Sequence, residues 1–146
     1  MRDVIQYCVG SEHSPTDPFG LSDLVIQVDG SARLDQFRHG SHTAWTGKVA
    51  ASVIEELWTA MKEADFPNFP VHYPTAGSAI RDLNVGGRDG KSAYIAYHAA
   101  EGMVGYRTVF QILDQIVRQI SEDTVQVVPN SGVQIVDSIA RVAPNA

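Results

Sequence analysis

The chain holds one cysteine, Cys8, in 146 residues. A single thiol closes no intramolecular disulfide and supplies no cysteine-based zinc cage. Cations are also scarce, with 11 Lys and Arg against 17 Asp and Glu and a formal net charge of −6. Sequence-independent nucleic-acid binding needs clustered cations that displace counterions from phosphates, so no nucleic-acid partner is expected. No apolar run approaches the ~20 residues that span a bilayer, and residues 1–6 (MRDVIQ) contain no apolar core of a secretion signal. The expectation is a cytoplasmic protein with no membrane partner. Nucleotide motifs are missing as well. Gly86-Gly87-Arg88-Asp89-Gly90 opens no helix in a G-x-G-x-x-G pattern, and no Lys-Ser/Thr pair follows it. Those glycines read instead as positive-φ positions of a hairpin turn, and no cofactor is expected.

What is present is enough apolar material for a core. Hydrophobic residues make up 44% and charged residues 19%, which places the chain among globular rather than disordered sequences. Its length is that of one domain, 1–146, with an extended arm or added hairpin at 122–146. Residues 4–9 (VIQYCV) read as a strand, with Cys8 as a small buried apolar residue, and 10–20 read as a long loop rich in Ser, Pro and Asp. Residues 23–28 and 32–38 alternate in the manner of strands around Asp29-Gly30, a pair suited to a tight hairpin. A shorter strand is expected at 43–48, anchored by Trp45.

Ser52 and Glu55 have the spacing of a capping box. Val53, Ile54, Leu57, Trp58, Met61 and Ala64 then recur as one helical stripe, and Pro67 stops the helix near Asp65. Residues 66–78 carry three prolines and three aromatics and read as an extended segment. A second hairpin follows, 79–85 and 91–98, then a helix over about 106–121 with Tyr106, Val109, Phe110, Leu113, Ile116, Val117 and Ile120 as its stripe. The tail from 125 to 142 has two short β-prone runs. Tight turns imply antiparallel pairing, and one-sided helices need a sheet to cover. The expected fold is a two-layer α+β domain: an antiparallel sheet of β-hairpins with two amphipathic helices packed on one face.

Few residues suggest chemistry. In His39-Gly40-Ser41-His42 two histidines stand three apart and a serine adjoins one of them, yet zinc needs further ligands and a nucleophilic serine needs an oriented base. The preferred reading is a connection between strands. The five histidines (His13, His39, His42, His72, His98) are scattered, and no metal is expected. Asp82, in a predicted strand, could serve as a general acid or base if buried, or pair with Lys91 or Arg107 across the surface. Glu55, Glu56, Glu63 and Asp65 lie off the apolar stripe of the first helix and form a candidate acidic face for a basic protein. The loops offer Asp17 and Phe19 in 10–20 and His72 and Tyr73 in 66–78.

The strings Ile54-Glu55-Glu56-Leu57-Trp58 and Ala64-Asp65-Phe66-Pro67, set in the order hairpin, capped helix, hairpin, helix over residues 23–121, resemble two kinds of small bacterial protein. One is the emfourin-like protease inhibitor, the other the immunity-type domain that neutralises a toxin. The resemblance implies a non-enzymatic protein that masks a cognate partner by occlusion, most simply an immunity protein facing a basic toxin domain, with a protease inhibitor as an alternative. No inhibitory residue carries over, because the loops at 10–20 and 66–78 have no counterpart. A small metal-dependent or hydrolytic enzyme using His39, His42, Asp82 or His98 stays open beside it. So does a homodimer in which the tail pairs strands between subunits.

Overall fold

A computed structural model describes residues 4–10, 21–38, 41–66, 80–86, 91–96, 105–121 and 136–142. Among these residues, seven strands and two helices follow in the order β1 (Ile5–Gly10), β2 (Leu21–Ile26), β3 (Ser31–Arg38), β4 (Ser41–Val49), α1 (Ala51–Glu63), β5 (Ile80–Val85), β6 (Lys91–Ala96), α2 (Tyr106–Ser121) and β7 (Val136–Arg141). The strands form one sheet in the order β6-β5-β1-β2-β3-β4-β7, and every pair is antiparallel. The fold is α+β, as the alternating hairpins and one-sided helices require.

Register explains the core. Leu83, Tyr7, Leu24, Leu34 and Trp45 are successive cross-strand partners in one row from β5 to β4. All five are buried, and they join Ile5, Ile26 and Ala32 in a single cluster with the apolar stripes of both helices. Each such large side chain contributes about 1.5–3 kcal/mol by leaving water. All seven apolar residues expected along α2 are buried. In α1, Val53, Leu57 and Met61 are buried, while Ile54, Trp58 and Ala64 pack at the margin of the cluster. The two helices meet where Gly105, at φ +92°, passes Ala64 so closely that a Cβ would lie 3.1 Å from the Ala64 Cα.

Several boundaries differ from the sequence reading, each for a local reason. Four residues, 27–30, link β2 to β3: Gln27 N–H donates to Ser31 O at 2.7 Å and Gly30 N–H donates to Gln27 O at 3.0 Å. Gly30 takes φ +92°, the left-handed conformation that closes such a loop. The strand therefore ends at Ile26, and Val28 sits in the turn, 65% exposed. The expected capping box is absent. Ala50 is the N-cap and makes no side-chain bond, and Ser52 lies inside the helix. Burial of Val49 and Ala50 at the end of β4 fixes the entry into α1, so no hydroxyl is needed to define it. At the other end Asp65 N–H donates to Lys62 O and Phe66 N–H donates to Met61 O. With Asp65 at φ 59°, this is a Schellman cap built on an aspartate instead of the usual glycine.

The tail resolves into an edge strand. Within 122–146 the described part is β7 with Val142, laid against β4 of the same chain, with Trp45 opposite Arg141 and Thr46 opposite Ala140. Gly47 allows this approach: a Cβ there would stand 2.6 Å from the Ser138 carbonyl oxygen. The first β-prone run of the tail, 125–128, lies outside the described residues.

Candidate functional site

The face of the sheet away from the core carries the carboxylates. Asp82 of β5, Cys8 of β1, Asp23 of β2 and Asp35 of β3 are successive cross-strand partners in one row. Their environments differ. Asp23 is served by Gln6 Nε2 and by the Cys8 thiol, both donating to its Oδ1 at 3.3 Å. Burial, with the Asp23 and Asp82 carboxylates adding to it, pushes the Cys8 thiol up to about 12, so it is a poor nucleophile. Asp82 is pushed above the ordinary carboxyl range by burial and then by Asp23.

Asp35 runs the other way. Burial would raise it, but Arg33 donates to its two oxygens at 2.9 and 3.1 Å and His42 Nε2 lies 2.8 Å from Oδ1. These bonds outweigh burial and hold the carboxyl below its usual range. His42 also stacks on Phe37, with ring centroids 4.6 Å apart and planes 7° from parallel. The partner of His42 is thus Asp35. Asp82 lies four strands away, roughly 19 Å at the usual strand spacing. The structure does not bring His42 and Asp82 together, and His13, His39, His72 and His98 lie outside the described residues. Among the described residues, no group of three or more His, Cys, Asp or Glu is arranged to hold a metal. The expected pairing of Asp82 with Lys91 also fails, because Asp82 stands opposite Tyr94 and Lys91 opposite Val85. Arg107 is on α2, across the sheet from the face Asp82 occupies.

On the core side a second polar group ties three elements together. Arg81 of β5 is buried, 6% exposed, and its Nη1 donates to Tyr7 Oη at 2.5 Å and to the two Asp114 oxygens at 2.9 and 3.1 Å. Tyr7 Oη in turn donates to Asp114 Oδ1 at 2.7 Å. The guanidinium lies 5.1 Å from the centroid of Phe110, which also stacks with Tyr7. Burial and the Asp114 charge hold the Tyr7 phenol far above its ordinary value. The charges answer one another inside the fold, so this network fastens α2 to β1 and β5. Sequence reasoning missed it. One signal was available: Arg81 shares the alternation parity of Leu83, which puts it on the buried face.

Of the residues expected to meet a partner, Glu55, Glu56 and Glu63 are exposed on α1, with Glu56 and Glu63 seven positions apart on one side of the helix. Asp65 is exposed in the cap that follows. Asp17, Phe19, His72 and Tyr73 lie outside the described residues. The strand ends that flank their segments are neighbours, however: Gly10 stands opposite both Leu21 and Ile80. Among the described residues no helix is long and apolar enough to cross a membrane. No model of a known protein family matches the chain, and no curated protein matches it significantly.

Proposed function

We propose that this chain is a non-enzymatic binding protein that neutralises a basic protein partner by covering its working surface, as an immunity protein of a bacterial cytoplasm covers a toxin domain. The observation that carries the reading is the exposed carboxylate surface of α1, Glu55, Glu56 and Glu63, on a chain of net charge −6. Such a field speeds encounter with a cationic surface and disfavours acidic competitors. The resemblance of residues 23–121 to immunity-type and emfourin-like domains supports the same reading, with a protease as the other class of target.

The test combines capture with charge reversal. The tagged chain recovers a stoichiometric basic protein from its native cells and suppresses that protein's activity. Glu56→Lys with Glu63→Lys slows association about tenfold or more at low salt and flattens its salt dependence, while the thermal midpoint stays within about 2 °C. Recovery of no stoichiometric partner, or a reversed variant that associates as fast as the parent, would sink the reading.

A further inference from the structure

We draw no further inference here: the strongest candidate, the row Asp82, Cys8, Asp23 and Asp35 across the open face of β5, β1, β2 and β3, is an acidic cluster with a lone cysteine at which no second observation points to a ligand, and nothing in the structure shows what covers that face.

Discussion

Asp82 occupies a poor place for an ionised carboxyl. It is half-buried on a sheet face, and the neighbouring Asp23 carboxylate repels it. Its folded-state value lies above the unfolded one, so the native state holds the proton more tightly. The contribution of Asp82 is therefore favourable below the unfolded carboxyl range and is lost as pH rises through the folded value. Asp82→Asn removes the charge at constant shape. It should raise the urea midpoint at pH 7 and leave it unchanged below about pH 3, where the parent side chain is neutral in both states. Equal midpoints at pH 7 would refute the assignment. Asp35 has the opposite sign: its bonds to Arg33 and His42 stabilise the fold above the unfolded value and are lost as pH falls through the folded one.

Asp65 is a second unfavourable placement. A non-glycine residue at φ 59° is strained, and a carboxylate beside a helix C-terminus opposes the dipole. Asp65→Gly should stabilise the protein by about 0.5–1 kcal/mol, a rise of about 1–4 °C in the thermal midpoint at this chain length. A lower midpoint would show that the side chain's own interactions outweigh the backbone strain.

Among the elements, α2 depends most on polar chemistry. Its stripe buries seven apolar residues, yet it is also tied to the sheet through Asp114, Arg81 and Tyr7. Asp114→Ala leaves a buried guanidinium without its counter-charge and should cost about 3 kcal/mol in denaturant unfolding. Arg81→Met combined with Asp114→Leu should recover most of that loss, because the pair is removed together with its desolvation penalty. A double variant as unstable as the single one would mean that the network supplies net stability. The α2 stripe was legible in the sequence because seven apolar positions at helical spacing admit one reading. The hairpin around Asp29-Gly30 was legible for a similar reason, since period-two alternation and a left-handed glycine act locally. The network was not, because Tyr7 and Asp114 lie 107 positions apart and neither has a local pattern that names the other. The carboxylate row was hidden for the same cause: Cys8 reaches Asp82 only through the pairing of β1 with β5, which no turn joins. The start of α1 was misread because a hydroxyl at the right spacing competes poorly with burial of Val49 and Ala50.

For the whole molecule, the C-terminal strand decides which backbone edges meet solvent. β7 covers β4, and the approach depends on the missing side chain at Gly47. Gly47→Ala places a methyl against the Ser138 carbonyl. The resulting strain of about 1–3 kcal/mol falls on the β4–β7 ladder. Amides of residues 136–141 should then exchange about 5–150-fold faster, while those of β1 and β2 keep their protection. Uniform loss of protection across the sheet would show that β7 unfolds only with the rest. An uncovered β4 would present a free row of peptide groups, the usual template for pairing with another chain.

The position of β1 has a consequence in time. Among the described strands it precedes the others in sequence, and it lies in the interior of the sheet, with β2 on one side and β5 on the other. Its pairing with β2 closes soon after synthesis. The second pairing waits for residues 80–85, which at ribosomal speeds of 5–20 residues per second emerge about 4–14 s after Gly10. Until then the nascent chain holds Tyr7 and Ile5 without their β5 neighbours and with one flank of β1 unpaired. Completing the sheet through so distant a contact is slow compared with closing a hairpin. Throughout the interval before β5 arrives, that unpaired flank of β1 is open to pairing with another chain, and a pause in translation between residues 26 and 80 lengthens it.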